Sequence, residues 1–228
     1  MQMNPKNILT YLCSFFIDKT VFSISSEHNS ELKVVLSNGK YLLNSGLANY
    51  SFGNLHTVFQ NAFSKTNLSQ QKIDNALILG FGAGSVASIL RNELKMNCKI
   101  IGVEIDEEVI QIAKKYFELD KISDLEIALD DAQHFLESTN EKFDLIIIDL
   151  FQGIEIPEKF YSLFFLNLIK KVANADVSIY FNCVVDNYQH QKKFVQLKQD
   201  FIQTFSQQET LQYFDSNKIL HYRGKAES

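Results

Sequence analysis

The sequence predicts an α/β fold: a seven-stranded, mostly parallel sheet that closes on a C-terminal antiparallel hairpin, behind a small N-terminal β-meander. Three observations carry this. From residue 76 onward, continuous apolar runs alternate with helical patterns, as in a parallel sheet covered on both faces. The final stretch "ETLQYFDSNKILHYRG" reads instead as two strands around a tight turn at 215–217. Residues 20–44 have strand character, and Asn38-Gly39 is a strong two-residue hairpin signal.

The elements follow in order. "MQMNPKNILTYLCSFFID" reads as a packed N-terminal helix rather than a signal peptide: its apolar centre is short, holds polar residues and lacks a clean small-residue cleavage site. "TVFSISS", "ELKVVLS" and "KYLLN" form the meander. "SFGNLHTVFQNAFSK" has helical spacing at Leu55, Val58, Phe59, Ala62 and Phe63, with Ser51 as a candidate cap. The polar "TNLSQQKIDN" is a connector, and we divide the chain into a small region, 1–68, and a main domain, 69–228. There the strands are "ALILG", "KIIGVE", "LEIAL", "FDLIIID" and "VSIYFNCV", with helices at 85–94, 107–117, 132–137, 158–172 and 188–205. Phe15-Phe16, Phe164-Phe165, Phe201 and Phe205 fall at helical positions that predict core, with some available for a homodimer contact.

Composition narrows the function classes. Among 228 residues, 46% are hydrophobic and 21% charged, which supports a packed core and argues against disorder. A net charge of −5 leaves no basic footprint for nucleic acid. No apolar run reaches membrane-spanning length, so a membrane partner is not expected. Cys13, Cys98 and Cys183 are scattered, without zinc-ligand spacing. They read as free thiols in a reducing cytoplasm, and no metal is expected.

The chemistry concentrates at strand ends. "ALILGFGAGSVASIL" places Gly80, Gly82 and Gly84 where the first strand of the main domain turns into its helix. Glycines there permit a tight turn and close approach of backbone amides to a ligand, and the helix start favours an anionic group. The third glycine is at 84 and Ser85 follows, so the pattern is GxGxG rather than the GxGxxG of dinucleotide binders. "KIIGVEID" ends in Glu104, placed to accept hydrogen bonds from ribose hydroxyls. In "LEIALDDAQHFL", Asp131 and Ala132 open a helix, and Asp131 either caps it or faces an adenine amino group. Asp149 ends the buried strand "FDLIIID", with its tip toward the crevice, whereas Asp144 at the other end is structural. His134, His190 and His221 read as structural.

The series "LILGFGAGS", "GVEIDEEVIQIAKKYF", "ALDDAQHFL" and "FDLIIIDLFQG" resembles the spermidine synthase family within the Rossmann-like, class I adenosylmethionine-dependent methyltransferase superfamily. The likeness runs on through "IPEKFYSLFFLNLIKKV" and back through "NYSFGNLHTVFQ". It implies an adenosylmethionine-dependent transferase with Gly80, Gly82, Ala83, Gly84, Glu104, Asp131, Ala132 and Asp149 around the donor. The donor is adenosylmethionine or its decarboxylated form. The resemblance also implies a possible homodimer.

Against the family pattern, Ala83 stands where an acid holds the donor's amine. Gln152 stands where a second acid grips the attacking polyamine. On the acceptor side, Tyr50, His56, Phe151 and Gln152 are candidates, with Asp149 as the catalytic residue orienting or deprotonating the acceptor. An acid at 83 would repel the carboxylate of ordinary adenosylmethionine, so Ala83 favours that donor. The expectation is therefore methyl transfer to a small-molecule acceptor. The alternatives are polyamine aminopropyl transfer and a non-catalytic adenosyl-binding protein.

Overall fold

The structure, a computed structural model, describes residues 11–46, 48–153, 155–206, 209–213 and 216–224. Most of the predicted N-terminal helix, and part of the turn at 215–217, lie outside them.

The meander is a four-stranded antiparallel sheet in the order β1-β2-β3-β4, with β1 Lys19–Ile24, β2 Leu32–Ser37, β3 Lys40–Ser45 and β4 Ala48–Ser51. The hairpin at Asn38-Gly39 forms as expected, both residues adopting positive φ. The fourth strand, absent from the sequence reading, occupies the residues where a helix cap was sought. Helix α1, Asn54–Lys65, starts instead after Gly53 at φ 65, with no side-chain cap. It buries Val58, Phe59, Ala62 and Phe63.

The main sheet has seven strands in the order β10-β11-β9-β8-β5-β6-β7. These are β5 Asn75–Leu79, β6 Lys99–Glu104, β7 Leu125–Leu129, β8 Phe143–Ile148, β9 Ala173–Val184, β10 Glu209–Tyr213 and β11 Asn217–Arg223. Strands β5 to β9 pair in parallel, while β11 runs antiparallel to both β9 and β10. Alternate residues of the central strands enter opposite cores. Ala76, Ile78, Leu145 and Ile147 face one, and Leu77, Leu79, Ile146 and Ile148 face the other. All eight are fully buried, and each large aliphatic side chain contributes about 1.5–3 kcal/mol. This two-sided burial is why the strands read as unbroken apolar runs.

The helices are α2 Ser85–Ser88, continued by a wider π turn at Ile89–Glu93, then α3 Glu107–Tyr116, α4 Ala132–Ser138, α5 Leu163–Val172 and α6 Tyr188–Phe205. The expected helix at 158–172 is two pieces, because Ser162 caps α5 by accepting the Phe165 N–H after a short 3-10 turn. Phe165, Phe201 and Phe205 are core, as expected, but Phe15, Phe16 and Phe164 are 49%, 89% and 56% exposed. Cys13, Cys98 and Cys183 are free thiols, and no described helix is long and apolar enough to cross a membrane.

Candidate functional site

The parallel topology brings the carboxyl ends of β5, β6, β7 and β8 to one edge, and the switch point lies between the adjacent strands β5 and β8, which lead on to β6 and β9 in opposite directions. A cavity of about 440 Å³ opens there, within the range of small-molecule sites. Gly80, Gly82, Glu104, Asp131, Ala132, Asp149, Phe151 and Gln152 all line it.

The glycine loop has a different office from the one its sequence suggests. Gly80 and Phe81 N–H both donate to Val103 O, at 3.0 and 2.9 Å, and Gly84 N–H donates to Phe81 O at 3.1 Å. Gly82 N–H donates to Glu104 Oε2 at 2.8 Å. Four amides expected to be bare are therefore engaged within the protein. Gly80 and Gly84 answer to packing: a Cβ on Gly80, at φ 80, would stand 2.1 Å from Asp149 O. Gly84 is equally closed, its Cβ position lying 2.6 Å from a Leu119 methyl. Ala83 is fully buried in the core and is not among the lining residues. The Ala83 side chain, expected beside the donor, instead packs into the core.

Glu104 ends β6 and is 3% exposed. Besides Gly82, it accepts from Ile105 N–H at 3.0 Å and Asp106 N–H at 3.1 Å through Oε1. Three of about four strong acceptor positions are thus filled. Burial pushes its carboxyl up to about 7, against the pull of those amides and with a push from Asp106.

Asp149 and Asn182 meet because β8 and β9 pair in parallel through Ile148 and Phe181, so the next residue of each strand emerges at the same edge. Asn182 Nδ2 donates to Asp149 Oδ1 at 2.9 Å. Burial again pushes the carboxyl up to about 7, opposed by that single hydrogen bond. Asn182 is 1% exposed, lines the cavity, and its own Oδ1 has no hydrogen-bond partner. An orphaned buried acceptor costs roughly 1–3 kcal/mol.

Asp131 caps α4, accepting from Gln133 and His134 N–H at 3.0 and 3.3 Å. It also takes Lys159 Nζ at 2.6 Å. Burial opposes ionisation, but Lys159 and the helix amides hold its carboxyl below the usual range. Asp130, on the rim, accepts from His134 Nδ1 at 2.8 Å. The wall therefore carries Glu104, Asp130, Asp131 and Asp149 against one lysine already paired.

The meander closes another side through a contact the sequence did not disclose. Asn29 Nδ2 donates to Asp106 Oδ2 at 2.7 Å, and Ser26 Oγ donates to the same carboxylate. Ser45 Oγ donates to Asn29 Oδ1 at 2.6 Å. This docking places His28 and Asn29 on the cavity wall. Of the other expected acceptor residues, Tyr50 lies outside the residues whose side chains are described. His56 is drawn away, its ring nitrogens 2.8 Å from Ser85 Oγ and 2.6 Å from Glu93 Oε1. It braces α1 on α2 and is not among the lining residues. Asp144 accepts from the Asp74 and Asn75 N–H groups and from Asn174 at the opposite sheet edge, as expected of a structural residue.

A family profile described as "Spermine/spermidine synthase domain" matches residues 59–214. The chain belongs to this family. A probable polyamine aminopropyl transferase of Bifidobacterium longum is 35% identical over 102 residues, 44% of this chain and 22% of that one. A polyamine aminopropyltransferase of Thermoplasma acidophilum is 33% identical over 113 residues, 47% of this chain and 40% of that one. The matches span less than half the length of these relatives. Among solved structures, spermidine synthase from Thermotoga maritima has a TM-score of 0.71 at 14% identity, covering 91% of this chain and 73% of that one. Human methyltransferase-like protein 13, in complex with SAH, has a TM-score of 0.63 at 16% identity, covering 77% and 84%. These two show the shared fold. The family match and the names of the sequence relatives overturn the expectation of methyl transfer. The premise from Ala83 falls with it, because that side chain faces the core.

Proposed function

We propose that this chain transfers an aminopropyl group from decarboxylated adenosylmethionine to an amine. The observation that carries this reading is the wall's composition: the carboxyl groups of Glu104, Asp130, Asp131 and Asp149 with one lysine that is already paired, beside a loop in which the Gly80, Phe81, Gly82 and Gly84 amides are bonded within the protein. Such a cavity offers acceptors to a donor that ends in an amine and no unpaired lysine to one that ends in a carboxylate. Glu104 has one strong acceptor position left for a ribose hydroxyl, and Asp131 with Ala132 borders the adenine end.

In the reaction, the acceptor nitrogen's lone pair attacks the terminal methylene carbon bound to sulfur. The carbon–sulfur bond breaks, and its electrons return to the sulfonium as the neutral thioether methylthioadenosine. The proton released from the attacking nitrogen passes to Asp149. A carboxyl held near 7 is suited to accept it. The rest of the work is alignment of nitrogen, carbon and sulfur with exclusion of water.

The test is incubation of the full chain with decarboxylated adenosylmethionine and a diamine such as putrescine, with mass spectrometry of the products. Stoichiometric methylthioadenosine and aminopropylated amine are expected. Turnover with adenosylmethionine and none with its decarboxylated form overturns the reading.

A further inference from the structure

The side chain that the reaction has not yet used is Asn182. It sits at the carboxyl end of β9, 1% exposed, at the cavity wall. Its amide is fixed in one sense, because Nδ2 must face the Asp149 carboxylate to which it donates. That leaves Oδ1 without a partner although it is shielded from bulk water. Buried amide oxygens are almost always bonded, so an exception at a cavity wall marks a place where a donor belongs. Gln152, which lines the same cavity, supplies no charge where the family pattern has its second acid. The site thus has one carboxylate and, next to it, one neutral acceptor that is free.

We infer that Asn182 Oδ1 is the second acceptor for the attacking amine, taking one N–H while Asp149 takes another. The inference rests on the aminopropyl-transfer reading and assigns its acceptor recognition. A primary amine with two or more N–H groups on one nitrogen is the ligand this pair fits. A tertiary amine cannot satisfy both acceptors, and a carboxylate or hydroxyl-only acceptor leaves one of them unpaired or repelled. Through Nδ2, the same amide also orients Asp149, so one residue couples the placement of the nucleophile to that of its base.

The experiment compares Asn182→Leu and Asn182→Asp in the full chain. Leucine keeps the approximate size and removes both polar atoms. Aspartate keeps the shape and the acceptor but loses the donation to Asp149. Steady-state kinetics give KM for putrescine, and calorimetry gives the affinity for methylthioadenosine. Asn182→Leu is expected to raise the amine KM tenfold or more, with methylthioadenosine affinity within twofold of wild type. Asn182→Asp is expected to keep the amine KM within about threefold. If Leu leaves the amine KM unchanged, or if Asp loses as much as Leu, the acceptor role is overturned and Asn182 only holds Asp149. Should Leu fail to fold, the aspartate variant decides alone: an amine KM within about threefold of wild type supports the acceptor role, and a rise of tenfold or more overturns it. Absence of aminopropyl transfer in the wild type is a separate result, which overturns the reading of the reaction. In that case calorimetry of putrescine on the wild type and Asn182→Asp still reads the amine site.

Discussion

Two carboxyl groups face one cavity, both are pushed to about 7 by burial, and they are built in opposite ways. Glu104 accepts three backbone amides from its own loop and the glycine loop. Asp149 accepts one side-chain amide, and the partner that supplies it carries an unpaired oxygen. The Glu104 end is nearly saturated before any ligand arrives, so its geometry is part of the fold. The Asp149 end is left short of donors, so its hydrogen bonding is completed only by what binds. A satisfied carboxylate holds a shape, and an unsatisfied one waits for a proton or a cation.

The largest effect that sharpens this contrast is Asp149→Asn. The replacement is isosteric and its oxygen can still accept from Asn182, so folding is little disturbed. It can no longer accept a proton, and turnover is expected to fall about 10²–10⁴-fold. Methylthioadenosine affinity should stay within twofold by calorimetry. A large loss of that affinity would mean that the two ends are not separable.

The same chemical change at the other end should behave differently. Glu104→Gln puts an NH₂ against N–H groups that now meet an acceptor, from Gly82 on one side or from Ile105 and Asp106 on the other. Stability is expected to fall by about 1–3 kcal/mol, with methylthioadenosine binding weakened roughly 10- to 100-fold. Denaturant melts and calorimetry on the same sample read both. If Glu104→Gln is as stable as Asp149→Asn, the saturated end is not structural and the comparison breaks.

A third expectation concerns pH. Both carboxyls are raised in the folded state, so between about pH 4 and pH 7 the unfolded chain has lost protons that the native chain keeps. Their contribution therefore makes stability fall as pH rises through that window and level off above it. Asp149→Asn removes one of the two groups, so its stability relative to wild type should improve from pH 4.5 to pH 7.5. A constant difference in melting temperature across that range would contradict the raised state of the partly buried Asp149.

How much of this was legible depends on whether a residue's role is local. The sheet was readable because two-sided burial writes itself as apolar runs, and Glu104 and Asp149 were readable because a carboxylate ending such a run has few reasons to be there. Asn182 stood in "SIYFNCV" with the same signal, a polar residue near a strand end, but its importance depends on the β8–β9 pairing. Ser26 read only as part of the meander run "TVFSISS", and Asn29 carried no site signal, because their partner, Asp106, is on another element. Ala83 was misplaced for the converse reason: motif position says which residue it is, but the loop's path decides that the side chain turns into the core. His56 looked like a site residue until its neighbours Ser85 and Glu93 were seen to occupy both ring nitrogens.

The smallest effect tests whether the Asp149 side of the cavity is braced from outside. His190, at the start of α6, is 4% exposed and bridges Asp186 at 2.5 Å and Glu155 at 2.7 Å. Glu155 belongs to the segment after β8, where its backbone pairs with Gln152 of the cavity wall. Burial works against the imidazolium, but the hydrogen bonds it donates to Glu155 and Asp186 outweigh that, and the imidazole is held above its ordinary value. A raised histidine contributes stability that is complete below its unfolded value and is lost as pH rises through the folded one. Both carboxylate partners are partly exposed, so the contribution is modest, on the order of 1 kcal/mol. His190→Gln should therefore melt below wild type at pH 6, and the gap should narrow by pH 9. Because the brace reaches Gln152 rather than Glu104, the variant should raise the amine KM a few-fold and leave methylthioadenosine affinity alone. A change in nucleoside affinity instead would show the two ends to be mechanically joined through α6.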